Sequence, residues 1–427
     1  MALSAISAEL RPAPQRSGGR YIFDRLKTLL DRTVSLWIFM GGMVIIEPSP
    51  YEFVFAIVLP LALFAGMKVY RSTAPLFLLT VFFAPFAITA AFQATFTPTT
   101  TTLVYEAVTI FLLLTSFFVA NYVAEAPQER MARIMRAYTL VAVLSSILGT
   151  LAYLHLIPGA YDTLTRYGRT KAFFQDPNVF GPFIILPAIF ALQRMLLGDR
   201  RRIVIDGAIV LVLMIGVFVS FSRAAWGSIA GGAIILFLLV WIFEANARDK
   251  VRMLILSMVG VAVLGVALGG LLSIPSVSSL FDERASVEQN YDSGSTGRFG
   301  RQGYAFDLAL QHPLGIGPAE FRNLEVSEEP HDTYVTVLHV YGWGGGLCFY
   351  ALLAWTLARA GKALVVRSAN RRLLIPVIAT FVPLVIEAAI IDIDHWRHLY
   401  LLIGMIWGVT SGYQRLQPGE NKVTALV

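Results

Sequence analysis

Arg166, Arg169, Lys171, Arg223, Arg298, Arg301 and Arg397, with His331 and His395 beside them, are the residues of this chain best suited to chemistry. A guanidinium can grip phosphate oxygens bidentately, so Arg166, Arg169 and Lys171, close together and followed by Asn178, suit a phosphate clamp. Arg223 lies in Ser220-Phe-Ser-Arg223, between two strongly apolar runs. There it reads either as an arginine snorkelling at a helix end or as the wall of a polar cavity. His331, in Pro330-His331-Asp332-Thr333-Tyr334, suits general-base work. Asp332 cannot face it as an immediate neighbour, so an orienting carboxylate must come from elsewhere. Asp392-Ile-Asp394-His395 could in principle hold a divalent cation, but the pattern is short and common. Glu106 and Glu387 fall inside apolar runs, where a carboxylate is either functional or held by an interhelical hydrogen bond.

The elements that must position these residues are membrane spans. The 427 residues are 56% hydrophobic and only 15% charged, against roughly 25% charged in soluble domains. Apolar stretches long enough for ~30 Å of hydrocarbon recur throughout, about twelve in all. They fall near 33–47, 51–67, 73–93, 102–121, 134–157, 179–197, 203–221, 225–243, 251–274, 333–358, 373–391 and 398–413. The expected class is therefore all-α, a polytopic helical bundle. A cytoplasmic leader (1–32) precedes the transmembrane region (33–413), which carries one large periplasmic loop (275–332) with short amphipathic helices, and a cytoplasmic tail (414–427) ends the chain. With the N-terminus inside, most of the 34 Lys and Arg residues fall in inner loops, as the positive-inside rule requires. The net charge of +6 thus follows from topology and does not argue for nucleic acid. A single cysteine, Cys348, excludes an intramolecular disulfide and a Cys-based metal cluster. The minority of basic residues left on the outer face, where they are disfavoured during insertion, points to an anionic ligand, first of all a lipid phosphate.

In the large loop, Phe299, Gly303, Phe306 and Leu310 recur at helical spacing, which predicts an amphipathic helix over 298–311. That apolar spacing predicts a lid lying near the interface, its aromatic face buried over a cavity between spans. Pro313 and Gly315-Ile-Gly317-Pro318 should end the helix, and Gly342–Gly346 should break the tenth span. The halves share no paired broken helices of the kind seen in inverted-repeat transporters. No phosphate-binding loop or hydrolase motif is present, so an enzyme acting on this face needs a donor already activated and delivered by the membrane.

Three stretches together resemble the family of O-antigen ligases and Wzy-type polysaccharide polymerases. They are Arg169-Thr-Lys-Ala-Phe-Phe-Gln-Asp-Pro-Asn178, Ser220-Phe-Ser-Arg223-Ala-Ala-Trp, and the run from Thr296-Gly-Arg298 through Pro313-Leu-Gly-Ile-Gly317 to His331-Asp-Thr-Tyr334. The similarity runs from about residue 160 to 400; before that only hydrophobicity matches. The resemblance implies a GT-C-type glycosyltransferase of the bacterial inner membrane, without a required metal or other cofactor. It would move a glycan from undecaprenyl diphosphate to a hydroxyl of a glycan or lipid A-core acceptor, with inversion, at the periplasmic face. By motif, Arg223 and Arg298 would stabilise the leaving diphosphate and His331 would activate the acceptor. Arg166, Arg169, Lys171, Asn178, Arg301, Asp332 and Tyr334 would contact the substrates. The family often carries Asn after this histidine; here it is Asp332, an added carboxylate.

Two readings from other classes stand beside this one. A flippase or secondary transporter of an anionic substrate would place charges near the midplane in both halves, whereas here they gather at one face of the second half. A structural subunit of an export complex would make Arg223 and His331 dispensable.

Overall fold

The computed structural model describes residues 18–285, 297–324 and 328–413. Its helices in chain order begin with α1 (Gly18–Met40), α2 (Pro50–Phe64), α3 (Ala74–Ala91), α4 (Thr99–Glu125) and α5 (Pro127–Tyr153). A short α6 (Tyr161–Leu164) and a hairpin of β1 (Thr165–Arg166) and β2 (Arg169–Thr170) lead to α7 (Pro177–Phe183) and α8 (Ile185–Leu197). Then come α9 (Ile203–Val219), α10 (Arg223–Phe243), α11 (Ala247–Leu272), α12 (Pro275–Ala285) and α13 (Arg298–Gln311). The chain closes with α14 (Thr333–Val365), α15 (Arg371–Glu387) and α16 (Arg397–Tyr413). The all-α expectation holds, with one two-stranded hairpin besides.

Each of the twelve expected stretches holds a helix, but they are not equivalent. Among the described residues, seven helices are long and apolar enough to cross a membrane, and α2 and α9 are shorter apolar helices. The first boundary also moves. Helix α1 starts at Gly18, inside the expected leader, and ends at Met40 rather than near 47. Its successor starts where Ser49 and Glu52 form a capping box, the Ser49 amide donating to Glu52 at 2.7 Å. The expected tail, 414–427, lies outside the described residues.

Aromatic packing fills the core of the N-terminal half. Trp37 packs at a tilt against Tyr51 and Phe55, with Phe118 of α4 edge-on. Helices α4 and α16 pack closely because Gly404 and Gly408 face Val119 and Val123, leaving no room for a side chain between them. At the expected inner end, basic residues meet acids: Arg371 and Arg372 on Glu244, Arg194 on Asp206, Lys27 on Glu125.

Helix α14 explains the Pro313–Gly317 run. Its 33 residues include one non-helical residue, Gly342, at φ 71°. A break of this kind orphans backbone groups that must find partners. Here the Ile316 and Gly317 amides donate to the His339 and Val340 carbonyls, and the Trp343 amide donates to Pro313. A Cβ on Gly315 or Gly342 would strike the opposing backbone, so two glycines let the segments clasp. The run therefore does more than end α13: it splints a broken span.

Candidate active site

The 165–170 hairpin turns through Tyr167 and Gly168, both at positive φ, as a two-residue I′-type turn demands. Arg166 and Arg169 sit opposite each other across it. Arg169 is buried, its Nε donating to the Ser220 carbonyl at 2.9 Å and its Nη2 to Asn178 Oδ1 at 2.6 Å. It thus ties the hairpin and the start of α7 to the turn that carries Arg223. Arg166 stays exposed beside Tyr167 and bonds the Gln175 carbonyl. Lys171 donates to the Phe174 carbonyl, and burial, then the Arg166 charge, lowers its ammonium below the usual value.

Ser220–Ser222 is the tight link between α9 and α10. Phe221 there has φ 47°, a costly conformation for a bulky side chain, roughly 1–3 kcal/mol. Packing against Tyr153, Phe218 and Trp226 holds it in place. Ser222 caps α10, and Arg223 is that helix's first residue; Arg298 is likewise the first residue of α13. Helix N-termini favour anions and disfavour cations. Two arginines at two such ends give each place both a positive dipole end and a guanidinium, which is an arrangement for anionic oxygen.

His331 also has positive φ, 56°. Its Nδ1 lies 3.3 Å from Asp392 Oδ2, and its side chain is 40% exposed. Asp392 is fixed in turn by Thr336, whose hydroxyl donates to it at 2.8 Å. Among the described residues the other ring nitrogen, Nε2, has no hydrogen bond, and the side chain is partly open to the surface. One turn along α13 from Arg298, Gln302 donates to the His331 carbonyl at 3.2 Å, and residues four apart share a helix face. Arg298 is thereby placed beside the histidine segment. From the other side, Ser228 of α10 bonds Glu387 at the end of α15, joining the Arg223 helix to the 388–392 segment that carries Asp392.

Several expected participants have other partners. Arg301 is buried and pairs with Glu328. Tyr334 donates its hydroxyl to the Val385 carbonyl at 2.6 Å. Asp332 caps α14, accepting from the Tyr334 and Val335 amides. Burial raises the Asp332 carboxyl above its usual range despite those donors, and the Asp392 charge adds to the rise. Burial also raises Glu329, against the pull of Arg322 at 2.7 Å. Arg397 leaves the basic group altogether: it pairs with Glu52 in the first turn of α2 at 2.7 Å and with Glu47 in the α1–α2 link at 3.3 Å.

The Asp392-Ile-Asp394 stretch is divided. Asp392 serves His331, while Asp394 turns inward to His395 Nδ1 at 3.0 Å. The sequence called for a carboxylate from elsewhere to orient His331 and also singled out Asp392, without joining the two. They are some sixty residues apart, and hydrogen bonds from Thr333 to the Ala388 and Ile391 carbonyls hold their segments together.

The O-antigen ligase family matches residues 208–350, a stretch that holds Arg223, Arg298 and His331. Comparison with curated proteins finds no match. The similarity to the O-antigen ligase family thus spans the part of the chain from α9 into α14.

Proposed function

We propose that this protein is a membrane glycosyltransferase that moves a glycan from undecaprenyl diphosphate to an acceptor hydroxyl at the periplasmic face of the bacterial inner membrane. All twelve apolar helical stretches cross in this reading, with the N-terminus cytoplasmic, which puts His331 and the outer arginines on one side. The observation that carries it is the His331–Asp392 pair, open at Nε2 and flanked by Arg298.

In the transfer, the acceptor hydroxyl gives its proton to His331 Nε2 while its oxygen bonds the anomeric carbon from the face opposite the diphosphate. The bond from that carbon to the diphosphate oxygen breaks and its electron pair leaves with the oxygen. Asp392 accepts from Nδ1–H, fixing the tautomer and stabilising the imidazolium as it forms. Arg223 and Arg298 meet the charge that builds on the diphosphate, where preorganised donors are worth most. Arg169, with Arg166 and Lys171 near it, holds the Arg223 turn and adds positive potential.

The test is transfer in vitro from a purified undecaprenyl diphosphate-linked glycan, with and without chelator, by wild type, Arg223→Ala and His331→Ala. Both variants should fail while folded, and chelator should leave wild type unchanged. Full activity in both variants would overturn the site.

A further inference from the structure

The apolar stripe of α13 faces the opposite way from the lid expected of it. Phe299, Phe306 and Leu310 are 62%, 46% and 49% exposed. The buried face is Arg301, Ala305, Leu308 and Ala309. At 3.6 residues per turn the stripe is centred roughly 140° from that face, with the exposed polar flank of Asp307 and Gln311 next to it. Helix α13 therefore has three faces: one on the protein, one polar, and one apolar with no protein against it among the described residues.

The neighbouring surface identifies what covers that stripe. The Trp343 indole donates to the Ala309 carbonyl at 2.7 Å, pinning the end of α13 to α14. Trp343 itself, Leu347 one turn further on, and Leu314 after α13 are all exposed. The α13 stripe thus continues into the outward face of a membrane-spanning helix. The level of the contact is set by the break at Gly342. From Trp343 to Val365 the helix measures ~34 Å at 1.5 Å per residue, about one hydrocarbon thickness. Trp343 then stands at the outer boundary, where tryptophan is favoured for its apolar ring and polar N–H.

We infer that α13 lies in the outer leaflet as an interfacial helix, its Phe299–Phe306–Leu310 face among acyl chains. Burial of such a face follows the rule for amphipathic helices that lie on a membrane without crossing it. The consequence for the reaction rests on the role given to Arg298 above: the helix would hold that guanidinium at headgroup depth, where a lipid diphosphate travels. The depth of the helix does not rest on that role.

The experiment places single cysteines in a Cys348→Ser background at Phe306, Leu310 and, as the polar control, Asp307. Each is labelled with an environment-sensitive fluorophore, and the full chain is reconstituted in phosphatidylcholine–phosphatidylglycerol vesicles with brominated acyl chains. The labels at Phe306→Cys and Leu310→Cys should be quenched by bromolipid at least about twofold more than that at Asp307→Cys, with the reverse order for aqueous iodide. Equal iodide quenching at all three sites would overturn the inference. Protection of the stripe from both quenchers would also overturn it, pointing to a second copy or another protein over the face. A companion variant, Phe306→Asp, should raise the donor KM several-fold in vesicles while Phe306→Leu does not. Loss of transfer in every chain, wild type included, would count against the proposed reaction and leave the quenching result standing.

Discussion

Two histidine–aspartate pairs stand on either side of Ile393, alike in chemistry and opposite in circumstance. His331 meets Asp392 at 3.3 Å with the imidazole substantially exposed, and one ring nitrogen is left open. His395 meets Asp394 at 3.0 Å with the carboxylate buried, and its other nitrogen is already taken by Thr109 at 2.9 Å. Tyr400 closes the inner pair further by bonding the Asp394 carbonyl, and the Tyr105 ring lies against His395. In the proposed reaction, only the outer pair has a ring nitrogen left for a substrate proton. The inner pair fastens the loop on which the outer carboxylate rides. A histidine beside an aspartate is thus not a signature of catalysis; an unsatisfied nitrogen at a surface is the discriminating feature.

The strongest way to break this contrast is to disrupt each pair in turn. His331→Ala should cut transfer by roughly 10³–10⁴-fold, the upper range for a lost general base, with the melting temperature close to wild type. Equal rates would dissolve the distinction between the pairs. Asp394→Ala should act on the fold instead, leaving the His395 Nδ1 without its partner at about 1–3 kcal/mol. Thermal unfolding in detergent reads that loss; a stable but inactive variant would move Asp394 into the reaction.

Arg223→Ala and Arg298→Ala should each lower kcat by about 10²–10³-fold, the effect of deleting one donor to developing charge. A rise in donor KM alone would make them binding residues only. Asp392→Asn should cost on the order of 10²-fold and should change the pH profile of kcat/KM. An unchanged profile would leave Asp392 with only a packing role.

The smallest effect tests a latch further along the chain from α13. Glu320 accepts from the Thr95, Phe96 and Thr97 amides and the Thr97 hydroxyl, latching the α3–α4 link to the segment after α13. Burial alone would raise its carboxyl, but these donors hold it below the usual range. A depressed carboxylate contributes stability above its unfolded value near pH 4.3, and that contribution is lost as pH falls through the lower folded value. Glu320→Gln should therefore lose on the order of 1–3 kcal/mol near neutrality and converge on wild type in acid. A constant difference at all pH values would discard the latch.

Much of this was legible in the sequence. The twelve apolar stretches, the short Ser220–Ser222 turn and the helix over 298–311 follow from hydropathy and period, which act locally. So do Arg223 and His331 as candidates. What stayed hidden is what packing decides. Helical spacing at Phe299, Phe306 and Leu310 says that one face is apolar, but not whether protein or lipid covers it; in a membrane protein both readings carry the same pattern. A carboxylate sixty residues from its histidine leaves no periodic trace. Nor does the sequence tell that Arg301 and Arg397 meet acids while Arg169 braces a turn.

The clasp at Gly342 also makes the outer turn of α14 one piece with its surroundings. Thr333 and Thr336, outside the break, are tied to Ile391 and Asp392. At the break itself, the Ile316, Gly317 and Trp343 amides bond across the two segments. A break whose backbone groups are all taken up in this way is a fixed corner and not a hinge. In the proposed reaction, the His331–Asp392 pair would then be carried by a rigid frame on both sides.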